Sequence, residues 1–226
     1  MMELINSLLP NVSGIWDEVW ISTGETLYMT IISAIIAGIL GIILGVILLI
    51  TDKNGLTPKP LLYNFLDKLV NVFRSLPFII LVALIYPFTR LVVGKAIGTT
   101  ASIVPLVVTT IPFYARQIQN ALLEVDAGIV EAAQAMGTSK MDIIFRVYLK
   151  EGLASIIRVS AVTIINLIGL TAMAGAIGGG GLGNLAISRG YNRYQGDVTF
   201  VATILILIIV FASQALGNAL IKKVTH

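Results

Sequence analysis

The sequence contains no cysteine, and its one histidine, His226, is the last residue. No disulfide framework or thiolate metal site can therefore be built. Histidine acid–base chemistry and His-rich metal clusters are almost excluded. Charge is scarce as well: Asp, Glu, Lys and Arg make up 12% of the 226 residues, against 57% hydrophobic. A mean hydropathy of +0.94 places the chain in the membrane class. The net charge is +3, yet the cations are spread between the apolar runs rather than gathered in a stripe, which reads as an orientation signal and not as a nucleic-acid surface. The first twenty residues lack Lys and Arg and carry Glu3, Asp17 and Glu18, so no cleaved signal peptide is expected.

What the sequence does have is long uncharged runs. Leu27 to Ile50 is 24 residues without a charge, about 36 Å as a helix, enough to cross a hydrocarbon core of about 30 Å with some tilt. Within it Ser33, Ala37, Gly41 and Gly45 recur every four residues as a small-residue ridge, which serves either packing within the chain or a dimer face. A second span is expected from about Leu69, with Arg74 near the interface and with Pro77 and Pro87 kinking or breaking it. The third fits Ala96 to Ala115, the fourth Val159 to Ile177, and the fifth Val198 to Leu220. If loops 51–75 and 115–158 and the C-terminal tail face the cytoplasm, that side holds eleven Lys and Arg against four, which predicts the N-terminus outside and the C-terminus inside.

The polar stretch between spans three and four, IVEAAQAMGTSKMDIIFRVYLKEG (Ile129 to Gly152), reads as helix, hinge, helix. Asp126 suits an N-cap for a short Ala-rich helix through Met136. Gly137 suits its left-handed end, and Ser139 with Asp142 suits a capping box for the next helix. At a helical period Met141, Ile144, Phe145, Tyr148 and Leu149 form one stripe. By periodicity alone the stretch is either a connecting loop or a docking element.

The residues are more specific than their periodicity. EAAQAMG followed after nine residues by VYLK resembles the EAA loop of bacterial ABC-importer permeases, with Glu131, Ala132, Ala133, Gly137 and Leu149 matching, Val147 in place of Ile and Lys150 in place of Pro. The stretches NVFRSLPFIILVALIYPFTRLVVG, NALLEVDAGIVEAAQAMGTSKMDII and TAMAGAIGGGGLGNLAISRGY extend the likeness to the permeases of methionine ABC importers, from about Ser22 to the C-terminus. The resemblance implies that the EAA loop supplies a coupling helix seated in a cleft of a cytoplasmic ATPase. It also implies a complex of two permeases and two ATPases, with ATP and Mg bound by the ATPases, and an extracytoplasmic binding protein that delivers methionine.

The remaining motifs support that frame. The run Gly178 to Gly183 lacks the Lys and Ser or Thr of a P-loop and follows a membrane helix rather than a strand, so these glycines are expected to end the fourth helix and to permit close packing or movement. Spans one, three, four and five hold no Asp, Glu, Lys, Arg or His in the limits above, which disfavours a proton-coupled transporter; no acidic ring suggests a cation channel. Ser33, Ser102 and Ser160 have no His partner and read as packing residues, not nucleophiles. Thr163, Asn166, Thr171 and Met173 of the fourth span are the candidates for a translocation pathway, although their spacing does not define one face and packing is the alternative.

The expectation is an all-α integral membrane protein with five transmembrane helices and a cytoplasmic helix–Gly–helix coupling loop. It divides into an extracytoplasmic segment 1–21, a permease domain 22–217 and a cytoplasmic tail 218–226. It would act without a catalytic, cofactor or metal site of its own, as a homodimer in the bacterial inner membrane with no nucleic-acid partner, importing methionine, D-methionine or related amino acids. A permease for another amino acid or osmolyte, and a non-transporting membrane scaffold that docks a cytoplasmic partner, are the alternatives.

Overall fold

The computed structural model describes residues 9–224, which are helical with no strand among them. The first eight residues of the expected segment 1–21, and Thr225 and His226 of the tail, lie outside the described residues. Four helices are long and apolar enough to cross a membrane: α1 (Trp16–Thr51), α5 (Thr99–Leu123), α9 (Leu153–Ala174) with its extension to Gly179, and α11 (Gly196–Val224). Each contains all or most of one of the uncharged runs, the helix of the third beginning at Thr99 rather than Ala96. Their outward residues are apolar, as Ile36, Ile39, Leu40 and Ile43 of α1 illustrate, which suits hydrocarbon rather than water as the surrounding medium.

The expected second span is three shorter helices, α2 (Pro60–Ser75), α3 (Phe78–Leu84) and α4 (Tyr86–Val93). Pro77 causes the first break, because the residue before a proline is pushed from helical to extended backbone, and Leu76 sits at φ −77° and ψ 125°. Pro87 occupies the first turn of α4, where its missing N–H costs nothing.

By internal contacts the chain forms two compact units. The first comprises residues 1–35, 77–108 and 164–213. Met29, Phe78, Leu106 and Leu167 close one of its cores, and Val19, Leu182, Leu185 and Val198 close another. Arg189 donates to Glu18 at 2.5 Å, and the Asp197 carboxylate accepts from both the backbone and the side chain of Asn11.

The second unit comprises residues 36–76, 109–163 and 214–226. Here α1 lies against α5 with no room for a side chain at Gly41 or Gly45. A Cβ at Gly41 would stand 2.7 Å from the Tyr114 ring, and one at Gly45 would stand 2.7 Å from the Ala115 carbonyl and the Ile118 Cβ. The small-residue ridge is, at these positions, a packing face within the chain. Tyr114 hydrogen-bonds Ser160 at 2.5 Å, and Ser160 donates onward to the Ile156 carbonyl. Arg116, counted in the sequence as a loop charge, lies inside α5 and pairs with Asp67 of α2 while donating to Gln119 at 2.7 Å.

Candidate functional site

The polar stretch folds as expected at its joints. The Asp126 carboxylate accepts from the Gly128 N–H at 2.6 Å and starts α6 (Ala127–Ala135). The helix ends on paired bonds, from the Gly137 N–H to the Gln134 carbonyl and from the Thr138 N–H to the Ala133 carbonyl. That is the geometry of a Schellman motif, and it requires the left-handed φ of +73° that Gly137 adopts. Ser139 then accepts from the Asp142 N–H and donates to the Asp142 carboxylate, starting α7 (Lys140–Asp142).

Beyond Asp142 the helix widens. Ile143–Tyr148 is π-helical before α8 (Leu149–Glu151) restores the tighter turn. The expected stripe divides. Ile144 is buried, Tyr148 and Leu149 are half-buried, and Met141 and Phe145 are 61% and 60% exposed. Burial pushes the Tyr148 phenol up from its ordinary value. Lys150, which stands where the EAA pattern has Pro, is an exposed helical residue, and the helix is interrupted only at Gly152.

Of the five residues matching the EAA pattern, Glu131, Ala132 and Gly137 are exposed, Leu149 is half-buried, and Ala133 is 6% exposed. Ala133 and Val130, three residues apart on α6, pack with Leu56, Ile143 and Ile144. The helix is thus held by one narrow edge and leaves the rest of its circumference free. The two adjacent alanines, indistinguishable in sequence, point to different surroundings. Ile129, Met136, Met141 and Phe145 add exposed apolar surface to the same element.

The four candidates on α9 separate in a similar way. Thr163 and Thr171 are buried and donate to the carbonyls of Val159 and Ile168 in their own helix, at 2.8 and 2.7 Å. Such back-bonding satisfies the hydroxyl without a partner elsewhere. Asn166 and Met173 are exposed and share one face with Gly169 and Ile177. Near the C-terminal end of this face a cavity of about 20 Å³, lined among others by Val82, Ser102, Pro105 and Ile177, has room for one water rather than an amino acid. No cluster of metal-binding side chains occurs among the described residues.

Sequence reasoning missed the burial of Ala133 and the Arg116–Asp67 pair. The only signal for the pair was a cation and an anion placed in apolar surroundings, which call for partners.

Residues 37–226 match the family model described as binding-protein-dependent transport system inner membrane component. The chain is 49% identical to the methionine import system permease protein MetP of Bacillus subtilis (strain 168), over 95% of this chain and 96% of that one. It is 46% identical to the probable D-methionine transport system permease protein MetI of Pasteurella multocida (strain Pm70), over 94% and 98%. A solved structure of the MetNI methionine ABC transporter in an inward-facing conformation superposes with a TM-score of 0.89 at 39% identity, covering both chains fully.

Proposed function

The chain belongs to the binding-protein-dependent transport system inner membrane components, and on that premise we propose that it is the permease subunit of an ATP-driven methionine importer. The observation that carries this reading is the α6–Gly137–α7 element, a helix fastened by Val130 and Ala133 alone and otherwise free to enter a cleft on another protein. The permease acts as a homodimer with two ATPase subunits and a methionine-binding protein. It has no ATP site of its own; ATP and Mg bind the partner ATPases. D-methionine and related amino acids fall within the same substrate class.

In this reading Glu131, Ala132 and Gly137 shape the docking face, Val130 and Ala133 fasten it to the permease, and Leu149 packs at the edge of the same cluster. Movement of the ATPases then shifts α6 as a rigid piece, and the dimer alternates between inward- and outward-open states. Asn166 and Met173 are the stronger pathway candidates, since an amide facing hydrocarbon is costly whereas one facing a water-filled route is not. Thr163 and Thr171 serve the helix instead. The broken segment α2 to α4 completes the fifth crossing, with the N-terminus outside and the C-terminus in the cytoplasm.

Reconstitution tests the proposal. The purified chain should not hydrolyse ATP. With its ATPase and binding protein it should move methionine in an ATP-dependent way that survives collapse of the proton gradient. Transport without any ATPase would refute the importer reading, and ATP-driven transport of a different solute alone would refute the substrate.

A further inference from the structure

Gly178 to Gly181 is a run of four residues without side chains, so its conformation depends on what its backbone touches. Three of the four, Gly178, Gly180 and Gly181, have φ of +89°, +79° and +75°. The run leads from the end of α9 into α10 (Gly181–Asn184). Two neighbouring side chains of α1 meet it there. The Gly181 N–H donates to Glu25 Oε2 at 2.6 Å, and the Leu182 N–H donates to Thr26 Oγ1 at 2.8 Å. The other Glu25 oxygen accepts from the hydroxyl of Thr99, the first residue of α5, at 3.0 Å. One carboxylate therefore ties α1, α5 and the glycine run together. The fit leaves no space for a side chain: a Cβ at Gly180 would stand 2.6 Å from Thr99 Oγ1 and 2.8 Å from Glu25 Oε2, and one at Gly181 would stand 2.7 Å from Thr26 Oγ1.

Two features make this tie releasable. Glu25 has no cation within ion-pair distance among the described residues and is only half-buried, so water can replace its peptide and hydroxyl partners when they part. The backbone around the run is also irregular: the helix kinks at Ile177 and Gly178, which leave helical φ/ψ, and a π-helical turn, Leu185–Tyr191, follows α10; such turns mark places where a helix is locally out of register. The small cavity beside Gly178 and Gly179 gives the turn somewhere to move.

We infer that Glu25, with Thr26 and Thr99, is a positioning group of the transport cycle. It latches the glycine run to α1 in the state seen here, and its release frees the C-terminal end of α9, which carries Met173. The inference rests on the permease reading, because a latch needs a cycle to serve.

The chain's lack of cysteine makes the test direct. In a Thr99→Cys, Gly180→Cys double variant a Cβ at position 180 would stand 2.6 Å from the place Thr99 Oγ1 now holds, so a disulfide formed there would pin the run to α5. The variant is assembled with the ATPase and binding protein in vesicles supplied with radiolabelled methionine. Oxidation should abolish ATP-driven uptake, and reductant should restore it in the same vesicles, with each single variant indifferent to both. Because one folded protein is read in two states, misfolding cannot imitate the result. Undiminished uptake with the disulfide formed overturns the latch and leaves the permease reading standing; thiols that fail to join pass the decision to Glu25→Ala. An unmodified parent that moves no methionine sinks the reading itself. Where Gly180→Cys alone stalls the chain, Glu25→Ala decides: less methionine moved per ATP hydrolysed is expected, and an unchanged ratio removes Glu25 from the mechanism.

Discussion

Substituting tryptophan at Ala132 and at Ala133 separately should give two different failures. Ala133 is 6% exposed among Leu56, Val130, Ile143 and Ile144, themselves 8%, 8%, 1% and 7% exposed. A tryptophan there overpacks a filled site at a cost of about 1–3 kcal/mol within the permease. At roughly 2–4 °C per kcal/mol for a chain of this size, the melting midpoint should fall by about 2–12 °C. Ala132 faces outward, so Ala132→Trp should shift permease stability by under about 0.5 kcal/mol. Its ring would collide with any cleft fitted to the slim helix. A loss of at least about tenfold in ATPase affinity, or about 1.4 kcal/mol, is the minimum expected. The assay is the melting of the solubilised permease without its partner, followed by co-purification of the ATPase. An Ala132→Trp permease that still holds the ATPase and transports would refute the docking argument. An Ala133→Trp permease that melts like the parent would refute the packing argument.

Gly137→Val should cost about 1 kcal/mol or more, because the left-handed φ strains any Cβ even though nothing lies within 4 Å of that position; Gly137→Asn should be milder, and proteolysis at the hinge reports the difference. Gly45→Val should destabilise the second unit by about 1–3 kcal/mol, since the nearest obstacle is the Ala115 carbonyl and the backbone of α5 must move to admit it; circular dichroism melting measures this. Arg116→Met and Asp67→Leu should be non-additive, as the side chains are only 16% and 28% exposed and each single change strands a charge; a double-mutant cycle should show coupling of about 1–3 kcal/mol. In intact cells an impermeant thiol reagent should label a cysteine placed at Asn192 and spare one at Ser139, both of them exposed, and the reverse pattern would overturn the orientation.

Local chemistry alone determined much of this protein. The uncharged runs became the four long helices, because in an apolar medium a helix satisfies every backbone group within its own segment. Pro77 broke the second span where it stands, Gly137 took the left-handed end, and Asp126, Ser139 and Asp142 made the caps, since each acts on residues no more than four positions away. Which face of a helix is covered could not be read that way. Ala132 and Ala133, or Thr163 and Asn166, differ only in what the folded chain brings beside them. Glu25 reaches Gly181 across 156 residues, and Arg116 reaches Asp67 across 49. The stripe Met141, Ile144, Phe145, Tyr148 and Leu149 shows the same limit: only Ile144 is buried and Met141 and Phe145 are exposed, because what covers each residue comes from Leu56, Val130 and Ala133 and not from the stripe itself. Helix formation is decided within a few residues of chain; burial is decided by partners that only tertiary packing supplies.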